Sequence, residues 1–115
     1  MLITAIPQYL QGITNAKVDL TTTNATTFYT CPSATTAIVK SILVSEDSNN
    51  ADTLTLTLTN ASSAVFSIYK DKAVSAKQTL ELLSAPLVVE ESEILKVTAA
   101  TADRLHVVAS ILEVN

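Results

Sequence analysis

Thr53-Leu54-Thr55-Leu56-Thr57-Leu58-Thr59 alternates threonine with leucine at every step, and this period of two decides the fold. Successive side chains of an extended chain point to opposite sides, so the three leucines share one face and the four threonines the other. The segment reads as a half-buried strand. The same grammar continues outward in both directions, with short apolar runs rich in Val, Ile and Thr bounded by small polar clusters. Strands are expected at Val18 to Thr22, Thr27 to Thr30, Thr36 to Val44, Val65 to Lys70, Gln78 to Leu83, Ile94 to Ala99 and Arg104 to Val114, which with Thr53 to Thr59 makes eight.

The punctuation supports hairpins. Ser48-Asn49-Asn50, Asn60-Ala61-Ser62-Ser63, Asp71-Lys72 and Glu90-Glu91-Ser92 are turn formers, through side-chain bonds to the backbone or tolerance of a left-handed conformation. With one glycine in the chain, Asn and Asp are expected at left-handed turn positions. Pro32 and Pro86 fall beside strands. No helical run is present to serve as a crossover between parallel strands, so the expected fold is all-β, an antiparallel β-sandwich of jelly-roll or immunoglobulin-like type. Residues 1–16 differ: Leu2, Ile3, Ile6, Tyr9, Leu10 and Ile13 are apolar, but Pro7 and Gly12 interrupt any period. They read as an N-terminal arm, and residues 17–115 as the β-sandwich domain.

Composition bounds the function. A chain of 115 residues suits one domain, and 48% hydrophobic against 16% charged residues fits a compact fold rather than disorder. A net charge of −4 gives no general attraction to phosphate backbones or anionic lipid, and Lys17, Lys40, Lys77 and Lys96 are scattered. No nucleic-acid or membrane partner is expected. Cys31 is the only cysteine, so the fold needs no intrachain disulfide. Met1 to Pro7 has no basic region and too short an apolar run for a secretion signal, so assembly inside a cell is expected.

Two stretches place apolar side chains on both faces: Ile38-Val39-Lys40-Ser41-Ile42-Leu43-Val44 and Leu105 to Val114. A two-layer sandwich covers one face only, so an arm of the same chain or a neighbouring subunit should cover the other. Leu2, Ile3, Ile6, Tyr9 and Leu10 are the expected interface contacts.

Reactive chemistry finds little support. Cys31 and His106 are the sole thiol and imidazole, and without a flanking motif they read as a small packed thiol and a strand residue. Glu46, Asp47, Asn49, Asn50 and Asp52 supply oxygens but lack the glycine and terminal glutamate of a calcium loop, so they read as a hydrophilic turn. Glu90, Glu91 and Glu93 read as carboxylates facing water. Phe28, Tyr29, Phe66 and Tyr69 read as core or interface packing rather than as a sugar platform, and Trp is absent. Asn24-Ala25-Thr26 and Asn60-Ala61-Ser62 match glycan acceptors by chance in a chain read as not exported. No catalytic residue, cofactor or metal is assigned, and the protein is not expected to be an enzyme.

The segment from Phe28-Tyr29-Thr30-Cys31-Pro32 through Ala37-Ile38-Val39-Lys40-Ser41-Ile42 resembles small virion structural proteins of tailed bacteriophages. The likeness continues through the alternating strand Thr53 to Thr59, an x-Leu-x-Leu strand at Thr79 to Leu82, and a last strand at Val107 to Val114. It leaves out the arm, and Ser33-Ala34 stands where the pattern has a glycine after the proline. The resemblance implies a β-sandwich on a phage capsid or tail, oligomeric and often trimeric. The function expected from it is a capsid decoration (cement) protein on the outer shell, contacting the major capsid protein or another virion protein. A tail, neck or fibre component is the structural alternative, and a sugar- or ligand-binding β-sandwich module is the alternative of another class.

Overall fold

The computed structural model describes residues 11–115. Among them are nine strands and no helix: β1 Gln11–Asp19, β2 Thr26–Thr30, β3 Thr36–Glu46, β4 Asp52–Thr59, β5 Val65–Val74, β6 Thr79–Glu81, β7 Leu87–Val89, β8 Ile94–Ala99 and β9 Leu105–Val114. All pairings are antiparallel and they nest: β1 with β9, β2 with β8, β3 with β6 and β7, β4 with β5. A long hairpin of paired strands, rolled so that β9 also meets β3 and β8 meets β4, gives two facing sheets. Their orders are β1-β9-β3-β6, with β7 also on β3, and β2-β8-β4-β5. This nested order is that of a jelly roll, which settles the choice left open with the immunoglobulin-like alternative.

The core lies between the sheets. Leu54, Leu56, Leu95 and Val97 from one sheet face Val39, Ile42, Val44, Val107 and Ile111 from the other, all fully buried. The alternation in β4 buries Leu54 and Leu56 as expected, whereas Leu58 is half-buried at the strand's end. Tyr29 on β2 donates from its hydroxyl to Glu113 Oε2 on β9 at 2.6 Å, and Tyr69 on β5 donates to the Leu82 carbonyl at 2.8 Å. Each tyrosine therefore bonds one sheet to the other.

The expected turn at Asp71-Lys72 is not one: both residues lie inside β5, with Asp71 left-handed where the register with β4 shifts. Three further readings of the sequence need correcting. First, residues 11–16, read as part of the arm, lie in β1 and pair in register with β9, and the strand ends at Asp19 rather than Thr22. An edge strand needs one neighbour only, so Gly12 and the mixed polarity do not prevent it. Second, Leu87–Val89 forms a ninth strand that is too short for an alternation test. Third, β3 is less two-faced than it reads. Its register with β9 shifts between Val39 and Ser41, where a bulge holds one extra residue. The extra residue flips the phase, so Ala37 and Val39 before it and Ile42 and Val44 after it all point inward. Ile38 and Leu43 remain outside.

The bulge has a dedicated partner. Glu81 on β6 accepts from the Ile42 N–H at 2.8 Å, from the Leu83 N–H at 3.1 Å and from the Ser41 hydroxyl. Burial alone would raise its carboxyl, but these donors win and hold it below the ordinary carboxylate value. Glu46, buried at the end of β3, does the same for two turns at once. It accepts from the N–H groups of Ser48 at 2.7 Å, Asn49 at 3.0 Å and Lys77 at 2.8 Å, and from the Ser48 hydroxyl. Against burial, which acts upward, these bonds bring its carboxyl from 4.5 down to about 2.

Left-handed backbone falls at Ala34, Asn49, Ser63, Asp71, Lys77, Ser92 and Asp103. Asn49, Asp71 and Asp103 are the residue types expected there; the rest are not. Ala34 has φ 55° in the turn where the phage pattern carries glycine.

Two outcomes follow from these turns. A left-handed alanine costs about 1–2 kcal/mol, and glycine's extra unfolded-state entropy returns about 0.4–1 kcal/mol of that. Ala34→Gly should therefore stabilise the protein by about 0.5–1 kcal/mol, measured by urea denaturation. The ionised form of Glu46 is favoured by folding, so its stabilisation is complete above pH 4.5 and is withdrawn as pH falls from there to about 2. Glu46→Gln should lower the melting temperature at pH 7 and flatten its decline across that window, checked by thermal melts over a pH series.

Candidate functional site

In an antiparallel pair, directly opposed residues share a face. Register therefore shows what the outer surface of the β1-β9-β3 sheet carries. Ile13 on β1 opposes Leu112 on β9, Leu112 opposes Ile38 on β3, and Ile38 opposes Val88 on β7. The result is an apolar row across four strands, about 14 Å long at the usual strand spacing. Ile13 is 89% exposed and Val88 52%. A shorter row lies beside it, where Val108 opposes Leu43 between Lys17 and Glu81. The outer face of β9 and β3 is thus apolar, as their sequences imply, and among the described residues no element covers it.

Shallow grooves flank the rows. One of about 330 Å³ is lined by Ile13, Lys40, Ser110, Ile111 and Leu112. Another of about 470 Å³ lies between Lys17, Asp19, Ser45, His106 and Val108. At this second groove His106 points outward from β9 with Nε2 3.2 Å from Asp19 Oδ1 and Nδ1 3.4 Å from Asp47 Oδ2. Both ring nitrogens face carboxylates, one at the end of β1 and one just beyond β3.

The structure does not bring Cys31 and His106 together. Cys31 is buried, its Sγ donates to the Thr35 carbonyl at 3.3 Å, and burial pushes the thiol up. It lies near Glu113, and Glu113 is separated from His106 along β9 by about 23 Å of extended chain. Glu46 and Asp52 in the candidate cation turn spend their oxygens on backbone donors, Asp52 on the Thr101 N–H at 3.1 Å. Glu93 Oε1 likewise accepts from the Glu90 N–H at 2.8 Å. Among the described residues no three His, Cys, Asp or Glu side chains are grouped to hold a metal ion.

Phe28 and Tyr29 are buried, whereas Phe66 is 54% exposed beside the exposed Val65 at the start of β5, a second and smaller apolar spot. The expected interface residues Leu2, Ile3, Ile6, Tyr9 and Leu10 lie outside the described residues. Sequence reading missed Ile13 and Val88; Leu112 and Ile38 fell in the two stretches read as apolar on both faces, without the outer face being assigned.

No family model matches the chain, and no curated protein matches it. Solved structures do. A chain of the Bacillus endospore appendages, a family of disulfide-linked pili, superposes with a TM-score of 0.56 at 9% identity, over 91% of this chain and 86% of that one. A chain of infectious bursal disease virus, Gx strain, gives the same TM-score and identity over 93% of this chain. This chain spans only 32% of that viral chain. At such identities the likeness is one of fold: the jelly-roll sandwich of this chain is a shape also used in a pilus and in a virus.

Proposed function

We propose that this chain is a non-enzymatic structural subunit of a phage virion, a capsid decoration (cement) protein that oligomerises, as a trimer by the resemblance, and sits on the outer shell. The observation that carries the reading is the apolar row Ile13–Leu112–Ile38–Val88 on the outer sheet face, which no element among the described residues covers. Burying each such side chain contributes up to about 1.5–3 kcal/mol, so the row favours a covering surface strongly. Leu2, Ile3, Ile6, Tyr9 and Leu10 add apolar side chains on the segment that leads into Ile13. The use of the same fold in a pilus and a virus agrees with an assembly role. The ligand-binding alternative has weaker support, because Phe28 and Tyr29 are buried and the oxygens of Glu46 already serve backbone donors.

Val88→Lys places a charge on the row at a half-exposed edge position and should leave the melting temperature nearly unchanged. It should weaken binding to purified shells at least tenfold, about 1.4 kcal/mol, measured by co-sedimentation. Quantitative mass spectrometry of particles should find a copy number of the same order as the major capsid protein; a handful of copies would move the subunit to the tail, neck or fibre. Unchanged shell binding by Val88→Lys would refute the role given to the row.

A further inference from the structure

The two sheets have four edges, and three are blunted against pairing. β2 is five residues long with a register shift between Thr27 and Tyr29. β5 carries two shifts against β4 and the charged run Lys70-Asp71-Lys72, with Asp71 left-handed. The fourth position of the other sheet is split into β6 and β7, three residues each, with Pro86 between them. β1 is the exception. It runs nine residues in unbroken register with β9, has no proline and no bulge, and among the described residues nothing pairs with its outer side.

We infer that β1 is a strand-addition edge whose partner is β1 of a second copy of this chain, paired antiparallel about a two-fold axis at Ile13. Because the other edges are blunted, the complement available on a second copy is the same strand, and a strand pairing with itself makes an isologous contact. The register follows from the side chains. Centring on Lys17 would set like charges opposite each other, and centring on Asn15 would set Ile13 against Lys17. Centring on Ile13 opposes the two isoleucines, sets Gly12 against Thr14 and sets Gln11 against Asn15. The apolar rows of the two copies then meet end to end, and a stripe of four residues becomes one of eight. Such a two-fold contact would join oligomers held by other surfaces.

The inference rests on the assembly reading, and one set of full-length variants separates the two. Directly opposed residues lie within disulfide range, so Ile13→Cys oxidised with glutathione disulfide should give a dimer on non-reducing gels, and Asp19→Cys at least tenfold less. Cys31 is buried and stays silent. The yield should persist when Leu2, Ile3 and Ile6 are all changed to Asp. Loss of the cross-link in that variant would make the arm the occupant and overturn the β1 pairing, as would equal yields at positions 13 and 19. Oligomers in sedimentation without a position-13 cross-link would sink this contact and keep the assembly reading; a chain that is monomeric and does not bind shells would sink both.

Discussion

One extra residue in β3, beside which the Glu81 carboxylate accepts from Ser41 and Ile42, sets the orientation of every later side chain in that strand. Without the bulge between Val39 and Ser41, strict alternation would send Ile42 and Val44 to the outside and leave Ser41 and Leu43 facing the core. A polar hydroxyl would then sit among leucines. The N–H of Ile42 points away from β9 towards β6, just beyond the residues that β6 pairs, and Glu81 accepts it there. The bulge thus lets β3 present a hydrophobic inner face along its whole length while keeping Ile38 and Leu43 for the surface.

The outer faces of the two sheets are unlike for a related reason. The β4 and β8 sheet shows Thr53, Thr55, Thr57, Lys96 and Thr98 outward, residues that pair with water as readily as with each other. The β9 and β3 sheet shows Val108, Leu112, Ile38 and Leu43 at equivalent positions. Antiparallel sheets can face water on one side, and the first sheet follows that pattern. The second departs from it, and among the described residues no element covers its apolar outer face.

How much of this was legible in the sequence depended on how locally each feature is determined. The strand Thr53–Thr59 and the all-β class needed only a period of two. The jelly-roll order needed long-range pairing between β1 and β9, which no local pattern encodes. The β3 bulge was misread as a two-faced strand because the register with β9 that reveals it, and the Glu81 acceptor beside it, lie on other strands. Left-handed turns at Ala34, Ser63, Lys77 and Ser92 were illegible for a like reason: the surrounding hydrogen bonds, such as that from the Lys77 N–H to Glu46, determine them rather than residue preference. For the candidate site, the sequence showed that β3 and β9 carry apolar residues on both faces, which include Ile38 and Leu112, but not which face is outer. Ile13 and Val88 could be added only once register showed them in the same row.

The contrast between the edges strengthens the case that the outer row is meant to be covered. A monomer with nothing to gain from contact is expected to disarm every edge, and three here carry bulges, charges or breaks at some cost to ladder hydrogen bonds. Leaving β1 straight and unguarded, at the point where the apolar row reaches the border of the sheet, puts the two exposed liabilities side by side at Ile13. An edge alone would invite indiscriminate pairing, and an apolar row alone would bind without register. Together they demand a partner that offers both a regular strand and an aligned row of apolar side chains, a far narrower specification than either one makes separately.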